Sequence, residues 1–200
     1  MELHPSLLLA LAAGIAISAA SGLRAFLPLL GVGLAGRFLH LPLNEGTRWL
    51  SSDLALIALG VAAVIEIAGD KIPVVDHALD VIGTFIRPAA ATVASYAMLD
   101  QMPAPWNAIA ALALGGSALL VHAAKAKVRI GSTATTLGAA NPLLSLMEDG
   151  TVITIVAVAI LVPLLALLVI VLGVVLFVRW MRGRRRRRET LPVAPRTPAR

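Results

Sequence analysis

The stretch Thr151–Val178, TVITIVAVAILVPLLALLVIVLGVVLFV, runs for 28 residues without a charge. A bilayer core of about 30 Å needs roughly 20 apolar helical residues. The stretch therefore reads as a membrane span, tilted because it is longer than required. Pro163 predicts a kink within it. Directly behind it stand Arg179, Arg182 and Arg184–Arg188. Arginines next to a span stay on the cytoplasmic side of an inner membrane, which predicts a cytoplasmic C-terminus, with Trp180 as an interfacial anchor. Past Glu189 the Pro-, Thr- and Arg-rich remainder is too polar to order itself. The chain thus divides into a helical transmembrane domain over 1–178 and an Arg-rich, disordered cytoplasmic tail over 179–200.

Composition extends this reading to the rest of the chain. Hydrophobic residues make up 58% and charged residues 14%, with a mean hydropathy of +0.89, against roughly 45–50% apolar usage in soluble domains. Such a chain cannot cover its apolar side chains with its own polar surface, so lipid must cover them. Aromatics are only 4%, which leaves Ala, Leu, Val and Ile, the residues of closely packed membrane helices. Residues 1–178 carry eight Lys/Arg against ten Asp/Glu, whereas residues 179–200 carry nine Arg against one Glu. The basic balance therefore belongs to the tail and implies no nucleic acid. Without cysteine there is no disulfide framework, thiolate nucleophile or cysteine metal site.

The other apolar segments follow in turn. Leu7–Ala20 lacks the basic leader of a signal peptide, since Glu2 and His4 precede it, and reads as a retained membrane segment. With Leu23–Gly36 it forms a tight pair around Ser21-Gly22. Asp53–Gly69 is a further span. Residues 75–99 form another, interrupted at Arg87-Pro88. Asn107–Ala124 follows Trp106 and leads into Lys125, Lys127 and Arg129. Residues 130–146 must then cross outward, despite the polar run Gly131-Ser-Thr-Ala-Thr-Thr136 and the break at Asn141-Pro142. The expected fold is an all-α polytopic membrane protein of six to seven segments, some short or broken. The seven-segment arrangement puts the N-terminus outside. Arg24, Lys71, Lys125, Lys127, Arg129 and the tail then lie inside, with Arg37, Arg48, Glu45, Asp100, Glu148 and Asp149 outside.

A weak internal repeat is visible. Residues 23–35 align without gaps on 128–140 and match at Arg24/Arg129, Gly33/Gly138 and Ala35/Ala140. Interrupted segments at corresponding places in two halves point to a transporter-like site; similarity between Ala/Gly-rich helices also arises by chance.

The densest chemistry lies in Glu66–Pro88. At helical spacing Asp76, Asp80, Thr84 and Arg87 share one face, with His77 beside them. Glu66 and Asp70 share a face at the end of the preceding span. Ionisable groups in hydrocarbon cost at least about 2.5–3.5 kcal/mol each, so they turn to a protein interior or a water-filled cavity and pair there. Asp80 with Arg87 or Arg24 is the expected pairing. An alternative is an interfacial amphipathic helix with the same face in water. Arg24 and Arg129 suit topology-setting, helix pairing or ligand contact. His4, His40 and His122 read as interfacial or structural. Glu66, Asp70, Asp76, His77 and Asp80 lack the spacing of a specific metal site. No catalytic motif is present, so neither an enzyme, a metal nor a cofactor is expected.

These residues resemble a known family. Ala20-Ser-Gly-Leu-Arg24-Ala-Phe-Leu-Pro28, Asp70-Lys-Ile-Pro73 with Asp76-His77 and Asp80, and Thr84 with Arg87-Pro88 all carry the likeness. So do Lys125-Ala-Lys-Val-Arg129, Gly-Ser-Thr-Ala-Thr-Thr136, Ala-Asn-Pro142 and Glu148-Asp149. The chain is similar, over roughly residues 10–178, to bacterial membrane proteins of the domain of unknown function 4126 family. The resemblance implies a compact, helical inner-membrane protein and assigns no activity. The leading expectation is a small transporter or channel-like permease, its pathway lined by Asp76, His77, Asp80, Thr84 and Arg87, with Arg24 and Arg129 at pseudo-equivalent helix breaks. The alternative is a structural or assembly scaffold. Expected partners are membrane lipids, anionic lipid at the tail, and a second copy of the chain in a homo-oligomer.

Overall fold

The computed structural model describes residues 5–189, and every regular element among them is helical. In order these are α1 (Pro5–Leu23), α2 (Phe26–Phe38), a 3₁₀ helix (Glu45–Ser51), α3 (Asp53–Gly69), α4 (Pro73–Met98), α5 (Trp106–Thr136), α6 (Asn141–Leu161) and α7 (Pro163–Glu189). The chain forms two compact units, Met1–Leu167 and Leu168–Arg200. The first contains α1 to α6 and the start of α7. In the second, Leu168–Arg179 is an apolar helical stretch shorter than a span, and the helix continues to Glu189. Residues 179–189, assigned from sequence to a disordered tail, are therefore helical, while 190–200 lie outside the described residues.

In the first unit α1 packs on α4, α5, α6 and α2. It runs parallel to α5: Gly14 lies opposite Leu114, Gly22 opposite Ala118 and Val121, and Leu23 opposite Lys125. A β-carbon on Gly22 would stand 2.6 Å from both the Ala118 carbonyl oxygen and Val121 Cβ. The bare glycine is what lets the two backbones meet. α4 runs antiparallel to both neighbours, with Ser95 Oγ donating to the Gly14 carbonyl at 3.1 Å and Thr92 seated against Gly115 of α5. α2 returns along α3 and α6.

The distribution of polarity is inverted relative to a soluble protein. Leu54, Ile57, Val61 and Val64 of α3 are exposed, as are Phe85 of α4, Leu112 and Leu120 of α5, and Leu143, Leu146 and Ile153 of α6. The interior holds small residues such as Ala16, Ala20, Ala94 and Ala118, together with Arg24, Glu66, Asp70, Arg87, Lys125 and Arg129. An apolar exterior around a charged interior is stable in lipid and costly in water. The helices have the length and composition of a membrane protein.

Several segment assignments change. Among the described residues three helices are long and apolar enough to cross a membrane: α1, α5 and α6. A fourth span results if the 3₁₀ helix and α3, bent by 70°, count together. This is fewer than six or seven. The stretch 151–178 is not one continuous helix, because the helix stops at Val162 (φ −143°, ψ 74°) and a new one starts at Pro163. A residue before proline is driven out of the helical region. α6 instead takes Asn141–Leu161, and Asn141-Pro142 opens that helix, proline being tolerated in its first turn. Residues 130–146 thus make no separate crossing. α5 runs through Thr136 and turns at Leu137 (φ 52°) and Gly138 (φ 85°), a left-handed stop for which glycine suits the second position.

Pro88 does not interrupt α4 either. Among the described residues α4 is not one of the helices apolar enough to span; it carries Asp76, His77, Asp80 and Arg87. Arg87 is buried, while Val81, Ile82, Thr84 and Phe85 are exposed.

Candidate functional site: two buried charged centres

Four segments deliver charge to one point. α3 ends in Glu66 and Asp70, four residues apart; α5 presents Lys125 and Arg129, again four apart; α6 presents Ser145, Glu148 and Asp149. Residues so spaced lie on one helix face. The fourth contributor is Arg24, at the break between α1 and α2. Its backbone N–H still bonds Ala20 O at 3.0 Å, so the side chain continues the inward face of α1.

Asp70 is the hub. Its Oδ2 accepts from Arg24 Nη1, from Arg129 Nη2 at 3.0 Å and from Lys125 Nζ at 3.2 Å. Arg24 Nη2 reaches Asp149 Oδ1 at 2.7 Å and Ser145 Oγ at 2.8 Å. Lys125 Nζ also meets Glu148 Oε2 at 3.1 Å and the Leu23 carbonyl at 3.3 Å, so its three N–H donors find three acceptors. Arg129 Nη2 shares Glu148 Oε2 at 3.0 Å. Three cations thus face the carboxylates of Asp70, Glu148 and Asp149.

Glu66 is used differently. It accepts from the backbone N–H groups of Ala25 at 2.9 Å and Phe26 at 3.2 Å, at the N-terminus of α2. Free N–H groups and the helix dipole favour an anion there, so this carboxylate needs no cation of its own. Burial alone would raise the Asp70 carboxyl, but Lys125, Arg24 and Arg129 outweigh it and hold the group below the ordinary carboxylate range.

The second centre lies between α4 and α5. Arg87, 1% exposed, directs Nη1 at His122 Nδ1. A guanidinium only donates, so the imidazole nitrogen it meets accepts. Nε2 faces Thr84 Oγ1 at 3.5 Å, and that hydroxyl donates to the Asp80 carbonyl at 3.2 Å. The carboxylate facing Arg87 is Asp80, whose Oδ1 is 3.5 Å away and whose side chain is 25% exposed. Arg87 Nε has no hydrogen-bond partner among the described residues.

The structure brings Asp80, Thr84 and Arg87 together and pairs Asp80 with Arg87. Asp76 and His77 lie on α4, but their side chains fall outside the described ones. Arg24 and Arg129 meet at Asp70 and not at the α4 face. Only Arg24 sits at a helix break; Arg129 is inside α5, ahead of the turn at Leu137. Sequence reasoning missed Lys125, Ser145, Glu148, Asp149 and His122 as site residues. The four-residue spacings Lys125/Arg129 and Ser145/Asp149 were a usable signal, whereas Glu148 and His122 had none of that kind. Among the described residues no three His, Asp or Glu converge to hold a metal. A cavity of about 480 Å³ lies at the other end of α4, lined by Asn44, Glu45, Arg48, Ser51 and Asp100.

No relative matches among curated proteins or among solved structures. A family model described as "Domain of unknown function (DUF4126)" matches residues 11–183. That range contains both charged centres and every helix that packs around them, and the chain belongs to this family.

Proposed function

We propose that the protein is a small multi-pass permease of a bacterial inner membrane, with its C-terminus in the cytoplasm. In this reading the Asp70 network is the closed gate. The observation that carries it is the enclosure of Arg24, Glu66, Asp70, Arg87, Lys125 and Arg129 within a bundle whose outside is apolar. Buried ion pairs are a poor way to hold helices together, because desolvation offsets most of the Coulomb gain. Charges kept inside lipid-facing bundles line pathways and relays. The arginines from Arg179 onward favour the cytoplasmic face and attract anionic lipid there.

A scaffold that binds lipid or partner subunits is the second reading. It is favoured by the saturation of Lys125, whose ammonium has three acceptors. The chain has no cysteine, so single cysteines at Thr84 and Ser145 can be tested with a membrane-impermeant maleimide in cells and in inverted vesicles. Labelling from water at both, changing with pH or ionic conditions, supports a pathway. Protection at both from either side rejects it and leaves the scaffold.

A further inference from the structure

The polar cavity of about 480 Å³ at the far end of α4 belongs to neither charged centre. Its volume falls within the range of small-molecule sites. The wall is made of fixed pieces. The Asn44 N–H donates to the Ala97 carbonyl of α4 at 3.1 Å, and the Asn44 carbonyl accepts from the Thr47 N–H at 2.9 Å and hydroxyl at 2.8 Å. Gly36 of α2 also lines the space, and a β-carbon there would collide with the Ser51 hydroxyl. That hydroxyl oxygen is buried without a hydrogen-bond partner among the described residues. Of the atoms so placed, it is the one whose residue lines this cavity.

The lining carries both signs of charge. Asp100 has Gln101 Nε2 on its Oδ2 at 2.6 Å and no cation among the described residues. Arg48 and Glu45 pair at 3.6 Å through largely exposed side chains, a contact worth too little to keep either from a ligand. None of the lining residues is aromatic. Trp49, on the 3₁₀ helix that forms part of the wall, is 54% exposed, and Trp106, which opens α5 at the same end, is 62% exposed. Tryptophans so placed sit at headgroup depth in a bilayer.

We propose that this cavity binds a zwitterionic ammonium–phosphate group of the phosphoethanolamine type, as a lipid headgroup or as a free solute. Arg48 takes the phosphate through its fork of N–H donors. Asp100 and Glu45 take the ammonium, whose third N–H is left for the Ser51 oxygen. A trimethylated ammonium has no N–H to give and would need an aromatic cage that this lining lacks. A lone anion or a metal cation would match one sign of the lining and be opposed by the other. The site lies away from the Asp70 gate, so it stands or falls independently of the permease reading.

The test uses the full-length protein in maltoside detergent and reads thermal unfolding, since a ligand of the folded state raises the midpoint. The probes are dihexanoyl phosphatidylethanolamine, its phosphatidylcholine counterpart and free O-phosphoethanolamine. Saturable stabilisation by the ethanolamine lipid is expected. It should be about ten-fold weaker with the choline lipid and in Asp100→Asn or Arg48→Gln, each of which removes charge-assisted contacts. Arg37→Gln, which alters an exposed charge outside the lining, should leave it unchanged. The ligand-free midpoint of each variant reports folding separately. A response to free O-phosphoethanolamine as well makes the solute a source, whereas a response to the lipid alone assigns the site to the headgroup. No response to either ethanolamine probe, an equal response to the choline lipid, or a response undiminished in Asp100→Asn or Arg48→Gln would overturn the proposal.

Discussion

The two charged centres share ingredients and differ in how many charged partners are described around them. Around Asp70, Lys125 meets three acceptors, while Arg24 is held by two carboxylates and a serine hydroxyl. Among the described residues, one guanidinium around Arg87 faces the His122 imidazole and the partly exposed carboxylate of Asp80. Removing a shared carboxylate strands three cations at once, whereas removing one member of a pair strands a single partner. The difference separates a carboxylate shared by three cations from a carboxylate paired with one guanidinium.

The sharpest way to break this contrast is Asp70→Asn. It leaves Arg24, Lys125 and Arg129 around a neutral amide and should cost about 3–5 kcal/mol, read as destabilisation in reversible unfolding in mixed micelles. Arg87→Met should cost about 2.5–3.5 kcal/mol, because it leaves the Asp80 carboxylate on a lipid-facing bundle without its described cation. A loss as large as that of Asp70→Asn would mean that the Arg87 centre holds the bundle as firmly as the other.

Glu66→Gln should cost about 1 kcal/mol, since the amide keeps an acceptor for the α2 N-terminus but gives up its charge. Arg37→Ala should cost less than about 0.5 kcal/mol, as its bond to Asp53 at 3.0 Å joins exposed side chains. The network also predicts the sign of an acid effect. With the Asp70 carboxyl lowered in the folded state, its contribution is fully present above the unfolded value of about 3.9. It is lost as pH falls through the lower folded value. Unfolding measured from pH 6 downward should show this loss in wild type and not in Asp70→Asn.

How much of this was legible follows from the range of each interaction. Apolar runs located α1, α3 and α5 because a helix's own side chains carry that signal. Helix ends were less legible. Pro163 ends α6 at Leu161, while Pro88 sits inside an uninterrupted α4 where Thr92 Oγ1 bonds its carbonyl at 2.8 Å; the two prolines look alike in one dimension. Arg24, Arg87 and Arg129 stood out as charges in apolar surroundings, and the Asp80–Arg87 pairing was readable because both lie on one helix. That Arg24 would find Ser145, 121 residues away, was not readable from local pattern, because only tertiary packing brings the two together.

That separation has a consequence for synthesis. Domains and helices emerge N-terminus first, so Arg24 enters the bilayer long before Ser145, Glu148 and Asp149 exist. A chain that has reached only the end of α5 holds Arg24, Lys125 and Arg129 against Glu66 and Asp70, with Glu66 already committed to backbone N–H groups. Such an unfinished chain carries surplus positive charge where lipid tolerates it least. Arrival of α6 supplies the missing carboxylates, so the insertion of that helix is the step at which the nascent protein becomes fit to remain in the membrane.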